Sequence, residues 1–219
     1  MRAPADSSQT CVNPKARAAL IAASVLVALG LGVFTASQVY APRTRPQPES
    51  GVVLNQPRPL ADFALVDHEG QPYTNAQLQG HWTLLFAGFT HCPDVCPTTL
   101  SLMKQLDARL RQRQAPLDYL FLSVDPERDT PQQLKKYVTY FSPAIRGVTG
   151  TREQLDALCA NLGIAYLKVP GASDGEYTVD HSTALVLLDP RGRVAGYFQP
   201  PHKLDTLASD LAGIVTSGT

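Results

Sequence analysis

The sequence predicts an α/β domain preceded by a single apolar helix. In this 219-residue chain, strand-like apolar runs alternate with helical patterns from about residue 61 onward, which is the arrangement expected of βαβ units. A pair of cysteines lies where the first long apolar run gives way to a helix. Ahead of the domain, a run of apolar residues and glycine that is interrupted only by Ser24 covers Ala18–Phe34. These three observations set the fold class and indicate where function is expected.

The first half of the domain carries the clearest strand patterns. Asp62–Val66, followed by a polar turn over 68–72, predicts an opening β-hairpin. Trp82–Phe89 and Leu117–Val124 are continuous apolar runs, which predict buried central strands. Between them, Thr98–Gln112 repeats its apolar residues at helical spacing and therefore predicts a helix.

The second half is predicted from caps and turns. Thr130 followed by Pro131 indicates the start of one helix, and Thr151 indicates the start of another. In both cases a glutamine stands three residues after the threonine, which predicts a capping box. The remaining predicted elements are a strand at Ile164–Val169, a hairpin of Thr183–Leu188 and Val194–Phe198 around the turn Asp189–Gly192, and a helix at Lys203–Leu211.

The order of these elements is that of a thioredoxin-like fold, here with an N-terminal β-hairpin extension. A parallel βαβ unit comes first, and a hairpin and a helix come last. The cysteine pair falls at the first strand–helix junction. That junction lies at the carboxyl end of a parallel strand, where α/β sheets usually place ligands.

The apolar run predicts a membrane anchor. A span needs about 20 mostly apolar residues, and the run can extend to Tyr40. A core helix would show a polar face, and a cleaved signal peptide would need a better small-residue site than those near Ala36 and Ala41. We therefore expect a short cytoplasmic tail at 1–17, a transmembrane anchor at 18–40, a proline-rich tether at 41–59 and the folded domain at 60–219.

Charge gives weak information on orientation and excludes one class of partner. The formal net charge is zero, but residues 46–219 hold 14 basic and 18 acidic residues, a net charge of −4. This balance does not resemble a basic nucleic-acid surface, so no nucleic-acid partner is expected. Basic residues lie on both sides of the span, so the positive-inside bias is small. We expect the tail inside and the domain outside the cytoplasm.

Cys92 and Cys96, separated by three residues, carry the sharpest functional signal. About one helical turn separates them, which allows their sulfurs either to converge on one metal ion or to join as a disulfide. The expected helix amino terminus would lower a thiol pKa. The spacing is not the Cys-x-x-Cys of a dithiol oxidoreductase. Two thiolates select Cu(I) or Zn(II) over hard cations, and oxidation to the disulfide would eject the metal.

A third ligand is expected from one of the five histidines. His181 is favoured because it precedes a core strand in a loop that faces the cysteine turn in a thioredoxin-like fold. His91, adjacent to Cys92, is expected to support the site, with ligation as the lesser alternative. His68 and His202 are expected on the solvated surface, and His81 at the opposite end of the domain.

Several further residues are candidates for a supporting role in the site. Asp94 and Asp180 flank the expected ligands and would orient them. Asp125 and Asp129 belong to a charged loop near the site, together with Arg128. That loop would either cap a helix and form a local Asp–Arg pair or dock a partner. Of the remaining cysteines, Cys159 falls on an apolar helix face and is expected in the core, and Cys11 precedes the span and is assigned no role.

At this point the chain resembles a known family. The motifs Thr90–Pro97, Ser123–Pro131, Val179–Thr183 and Asp189–Gly192, in that order, are similar to those of the SCO/SenC proteins over roughly residues 55–215. The resemblance implies a membrane-anchored copper chaperone that helps to metallate the dinuclear copper centre of cytochrome c oxidase. It also implies that Cys92, Cys96 and His181 are the copper ligands.

Two functions therefore compete on the same residues. The first is delivery of copper, as Cu(I) with Cu(II) left open, to the copper-centre subunit of cytochrome c oxidase, with other copper carriers or thiol reductants as further partners. The second is a thiol–disulfide reductase that uses the redox pair Cys92 and Cys96 without metal. A metallochaperone is expected ahead of an enzyme. The expected location is a bacterial inner membrane, with the domain in the periplasm.

Overall fold

The structure is a computed structural model that describes residues 14–40, 47–171, 173 and 175–217. It divides the chain into two units, residues 1–44 and 45–219. Cys11 and the predicted cytoplasmic tail before residue 14 lie outside the described residues, as do residues 41–46 of the predicted tether.

The first unit contains helix α1, Pro14–Tyr40. Its 27 residues extend about 40 Å at the usual helical rise. The stretch Leu20–Ser37 is long and apolar enough to cross a membrane. The hydroxyls of Ser24 and Thr35 donate to carbonyls one turn earlier, so these two polar groups are satisfied within the helix. The apolar helix expected over 18–40 therefore lies within α1.

The second unit contains ten strands and four α-helices among its described residues, with a short 3-10 helix at Asn75–Leu78. The strands are β1 (Gly51–Arg58), β2 (Ala64–Asp67), β3 (Pro72–Thr74), β4 (Thr83–Gly88), β5 (Asp118–Ser123), β6 (Ile145–Thr149), β7 (Tyr166–Pro170), β8 (Tyr177–His181), β9 (Leu185–Leu188) and β10 (Val194–Phe198). The helices are α2 (Val95–Gln112), α3 (Pro131–Phe141), α4 (Arg152–Leu162) and α5 (Leu204–Ser217).

Eight strands form one mixed sheet in the order β1-β10-β9-β4-β5-β6-β2-β3, and β7 pairs with β8 in a separate two-stranded sheet. β4, β5 and β6 are parallel, while β9 runs antiparallel to β4. Every residue of β4 is buried, as its apolar sequence predicts. The parallel register, from Thr83 opposite Asp118 to Gly88 opposite Ser123, brings the loops after β4 and β5 to the same edge of the sheet.

Most predicted elements are present with small shifts of their ends. The opening hairpin is β2–β3, and the last hairpin, β9–β10, turns at Asp189–Gly192 as predicted. Thr151 forms the predicted capping box with Gln154. Thr130 caps α3 through the backbone N–H of Gln133, but the reciprocal bond from the Gln133 side chain is not formed, so the capping box predicted there is only half present.

Residues 51–58 were predicted to be part of the tether, but the structure shows them as a strand. They form β1, which pairs antiparallel with β10 at the edge of the main sheet. An edge strand tolerates proline because one of its sides makes no ladder hydrogen bonds. Pro57 lies in the irregular stretch between Val53 and Arg58 where the register shifts. The prolines that indicated a tether therefore do not prevent a strand.

Two other strands and one histidine were not foreseen. β6 and β8 carry no pattern strong enough to predict them. His68 was expected on the surface, but its side chain is only 11% exposed. Its Nδ1 accepts a hydrogen bond from the backbone N–H of Gly147 at 2.8 Å, so His68 links the β2–β3 turn to β6. Burial lowers its pKa below the ordinary value.

The strand β1 can be tested with two neighbouring valines. Val53 is buried at 4% exposure, and Val52 is exposed at 58%. Val53→Ala should lower the free energy of unfolding by about 1–3 kcal/mol, because it removes buried methyl groups. Val52→Ala should change it by no more than about 0.5 kcal/mol. Urea unfolding measures both, and equal, negligible effects would show that residues 51–58 are a tether after all.

The partly buried His68 should make stability depend on pH. Its pKa is lowered in the folded state. Between the folded and the unfolded pKa, the unfolded chain therefore binds a proton at this histidine and the folded chain does not. The neutral histidine's contribution to the free energy of unfolding is complete above the unfolded pKa of about 6.5. It is lost as pH falls below that value, by at most about 1.4 kcal/mol per pH unit. Urea unfolding at pH 7.5 and pH 5.5 should show a smaller decrease for His68→Asn than for the parent chain. An unchanged decrease would refute this assignment.

Candidate metal centre

The cysteine pair lies at the edge of the sheet where the loops after β4 and β5 come together. Cys92 is in the loop after β4, and Cys96 is in the first turn of α2, whose N-cap position is Asp94. The backbone N–H of Cys96 donates to the Cys92 sulfur at 3.4 Å. This contact uses one of the unpaired N–H groups that a helix start leaves free.

The structure brings the predicted third residue to the pair. One donor atom each from Cys92, Cys96 and His181 can be chosen so that all three lie within 4.8 Å of one another. The Cys96 sulfur is 3.5 Å from Nε2 of His181. Residues far apart in sequence thus place two sulfurs and one imidazole nitrogen around a common point, which is an arrangement that can hold a metal ion.

The imidazole of His181 is held in one orientation. Its Nδ1 donates to the carbonyl oxygen of Ser182 at 3.1 Å, which fixes the proton on Nδ1 and leaves the Nε2 lone pair facing the sulfurs. The rings of Phe86 and Phe89 pack against it edge-on, with centroids 5.8 and 6.0 Å away. Such fixing of the second ring nitrogen is typical of metal-binding histidines.

The site is buried on one side and open on the other. Cys96 is fully buried, whereas Cys92 and His181 are partly exposed. A groove of about 390 Å³ opens onto them, lined also by Phe89, Pro93, Asp94, Val95, Thr178, Val179, Asp180 and Thr183. A ligand or partner can therefore reach the donor atoms from one direction.

Burial, and not the helix start, sets the protonation of Cys96. Burial is the main cause that raises the pKa of its thiol well above the ordinary range, so the prediction of a lowered pKa at the helix amino terminus is wrong for this residue. Burial also lowers the pKa of His181. These two shifts favour a neutral thiol beside a neutral imidazole, so a metal ion bound here would have to displace the thiol proton.

Asp129 ties together the two loops that frame the site. Its carboxylate is fully buried and accepts hydrogen bonds from the Thr90 N–H at 2.9 Å, the Thr90 hydroxyl at 2.7 Å and the Ser123 hydroxyl at 2.6 Å. Thr90 stands two residues before Cys92. Asp129 therefore supports the cysteine loop without touching the thiols.

Asp125 holds a different element. This carboxylate, also fully buried, pairs with Nε of Arg128 at 2.5 Å and accepts from the Tyr177 hydroxyl at 2.8 Å. The Arg128 guanidinium stacks over the Tyr177 ring at 3.6 Å. Burial and the Asp125 carboxylate raise the pKa of Tyr177 to about 12, so the hydroxyl stays a donor. Sequence reasoning missed Tyr177, because no local pattern joins it to Asp125.

The other predicted residues lie around the site without completing it. The Asp94 side chain is exposed and accepts a long hydrogen bond from the Thr98 hydroxyl at 3.5 Å, and Asp180 lies on the exposed face of β8. The structure gives neither carboxylate a hydrogen bond to the three donor residues. His91 is about half exposed and lies 3.1 Å from the Thr90 hydroxyl and 3.8 Å from Asp129.

The remaining histidines and Cys159 lie outside the group of three donor residues. His81 contacts Asp118 at the start of β5, at the opposite end of the strands, as predicted. His202 was expected on the surface but is partly buried in a groove beside α2, and burial lowers its pKa. Cys159 is buried in the core, as predicted.

Gly88, the last residue of β4, is needed for the close approach of Cys96. A Cβ at this position would lie 2.7 Å from the Cys96 sulfur and 2.9 Å from the Phe121 ring. Gly88→Ala should therefore displace the sulfur and destabilise the domain by about 1–3 kcal/mol. Gly213→Ala in α5, where nothing lies within 4 Å, is the matched control and should be neutral or slightly stabilising. Urea unfolding would contradict this if both variants behaved alike.

Comparisons with known proteins all match this chain to one protein family. The SCO1/SenC family model matches residues 54–216. Protein SCO2 homolog, mitochondrial, of Bos taurus is 36% identical over 191 residues, which cover 86% of this chain and 72% of that protein. The structure of Bradyrhizobium japonicum ScoI with copper bound is 36% identical with a TM-score of 0.63, covering 69% of this chain and 96% of that one.

A plant structure agrees with these matches. Arabidopsis thaliana ScoI with copper bound has a TM-score of 0.68 and 32% identity, covering 72% of this chain and 98% of that one. These neighbours confirm the predicted thioredoxin-like fold. On the matched family model, the sequence identity and the shared fold, this chain belongs to the SCO1/SenC family.

Proposed function

We propose that this protein is a membrane-anchored copper chaperone that binds copper through Cys92, Cys96 and His181. We further propose that it delivers the metal to the dinuclear copper centre of cytochrome c oxidase. The observation that carries the proposal is the convergence of two sulfurs and one imidazole nitrogen within 4.8 Å of one another. Cys92 and His181 line one open groove, and the buried Cys96 sulfur lies 3.5 Å from Nε2 of His181.

The donor set suits Cu(I) as a cargo. Thiolate and imidazole ligands favour soft and borderline metals, and a three-ligand site leaves one side of the ion available. The groove over Cys92 provides that open side. A partner thiolate can then replace the protein's donors one at a time, which a carrier needs and a permanent structural metal site does not. Cu(II) stays open as a second oxidation state of the cargo.

Family relatives support the same metal. The Bradyrhizobium japonicum and Arabidopsis thaliana ScoI structures both contain copper. Membership of the SCO1/SenC family supports the acceptor that the sequence resemblance implies, the copper-centre subunit of cytochrome c oxidase. Other copper carriers would load the protein, and thiol reductants would keep Cys92 and Cys96 reduced.

Location follows from α1. The apolar stretch Leu20–Ser37 supports a single-pass anchor. We place the tail in the cytoplasm and the copper-binding domain in the periplasm of a bacterial inner membrane. The orientation uses the family resemblance as well as charge, because basic residues lie on both sides of the span.

A second function, thiol–disulfide reduction, is favoured by one observation. Cys92 and Cys96 are both free thiols, and the Cys96 N–H already contacts the Cys92 sulfur. The more exposed Cys92 would attack a partner disulfide, and Cys96 would then displace the partner thiol. Two thiols of this protein become a disulfide while the partner disulfide becomes two thiols, so two electrons and two protons pass to the partner.

A competitive Cu(I) titration of the reduced full-length protein in detergent tests the proposal. The variants are Cys92→Ser, Cys96→Ser and His181→Ala. We expect one tight Cu(I) per chain in the parent. Each cysteine variant should weaken binding by at least about a hundredfold, and His181→Ala by about tenfold or more, because each change removes one of three donors.

Cys159→Ala is the matched control, because Cys159 is a buried free thiol outside the donor group. It should bind Cu(I) as the parent does. Absence of tight binding in the parent, together with efficient reduction of a model disulfide that Cys92→Ser abolishes, would refute the copper proposal and support the reductase.

A further inference from the structure

The third donor residue stands on an element that is not part of the main sheet. His181 is the last residue of β8, which pairs with β7 in a two-stranded sheet. A two-stranded hairpin alone is at best marginally stable in water. The position of His181 relative to the cysteine pair must therefore depend on the side-chain contacts that hold β8 in place.

Tyr177, at the other end of β8, makes the densest set of these contacts. Its hydroxyl donates to Asp125 at 2.8 Å, and its carbonyl oxygen accepts from Nη1 of Arg128 at 3.1 Å. Its ring lies between the Arg128 guanidinium at 3.6 Å and the Lys168 ammonium at 3.8 Å. Hydroxyl, ring and backbone of one residue are thus all tied to neighbouring side chains.

The contacts of Tyr177 also restrain the imidazole of His181, because both residues belong to β8. Side chains at positions i and i+4 of a strand point to the same face, so Tyr177 and His181 face the domain together, about 13 Å apart along β8. Val179 between them is buried in the core at 5% exposure. The Arg128 guanidinium also lies 5.7 Å from the Phe89 ring, and Phe89 packs against the His181 ring. The contacts of Tyr177 therefore reach His181 along the strand and through Phe89.

We propose that Tyr177 is a positioning residue for His181: its bond to Asp125 and its stacking with Arg128 hold β8 so that Nε2 faces the two sulfurs. Tyr177 touches neither the thiols nor the groove and acts through His181 alone. The proposal rests on the proposed copper-binding function, since it assigns Tyr177 a role in forming that site.

The test compares Tyr177→Phe, which removes the hydroxyl and keeps the ring, with Tyr177→Ala, which removes both. In the full-length reduced protein, Tyr177→Phe should weaken Cu(I) binding by about fivefold, because one hydrogen bond to a buried carboxylate is lost. Tyr177→Ala should weaken it by about thirtyfold, because the stacked cation is lost as well. Tyr119→Phe is the matched control, since the Tyr119 hydroxyl is buried without a hydrogen-bond partner at the opposite end of the strands.

A double-mutant cycle separates positioning from general destabilisation. In a His181→Ala background, Tyr177→Phe should cause no further loss of Cu(I) affinity, because the residue through which it acts is absent. A loss of equal size in both backgrounds would overturn the proposal, as would parent-like affinity in both Tyr177 variants.

A measurement on the metal-free protein tests the role of Tyr177 separately from the proposed binding of copper. The His181 ring proton signals report its packing against Phe86 and Phe89. Tyr177→Phe should shift these signals in the metal-free protein, and Tyr119→Phe should leave them unchanged. If the parent binds no copper, the proposed function fails, and the ring signals still decide whether Tyr177 positions His181. Unshifted signals in Tyr177→Ala would overturn the inference by themselves.

Discussion

The site depends on the fully buried carboxylate of Asp129 and on the hydrogen bonds that satisfy it. Burying a charge is costly unless hydrogen bonds compensate for it, and Asp129 obtains three, two from Thr90 and one from Ser123. These donors belong to the loop after β4 and the end of β5, which the parallel register has already brought side by side. The carboxylate is satisfied only when both segments are in place. The path of the chain into Cys92 is therefore determined by the strands beneath it.

The helix start at Cys96 shows two opposing effects on one thiol. Free N–H groups and the helix dipole favour a thiolate, but complete burial favours the neutral form, and burial is the larger effect here. The partly exposed Cys92 and the fully buried Cys96 are thus chemically unequal. An incoming soft cation supplies the positive charge that the buried sulfur lacks, so the affinity of such a site should be coupled to release of its proton.

The sequence allowed the parts that follow from local patterns to be predicted. The apolar run of β4, the cysteines at the start of α2 and the position of His181 before a core strand all have local signals. β1 was mistaken for a tether because the prolines spread over residues 42–59 outweighed the adjacent Val52 and Val53, yet an edge strand accepts proline. His68 and Tyr177 could not be predicted, because their partners, Gly147 and Asp125, are 79 and 52 residues away and the contacts form only after the strands align.

The two cysteines of the donor group are held in a different way from the histidine. Cys92 and Cys96 stand at a junction supported by the eight-stranded sheet, whereas His181 stands on a two-stranded hairpin anchored by side chains. A displacement of that hairpin would break contacts such as those of Tyr177 without opening the central strands. The position of the imidazole therefore depends on those side-chain contacts, whereas the position of the sulfurs depends on the main sheet. If the protein is the copper carrier proposed above, the donor on the separately anchored hairpin is the one expected to leave first.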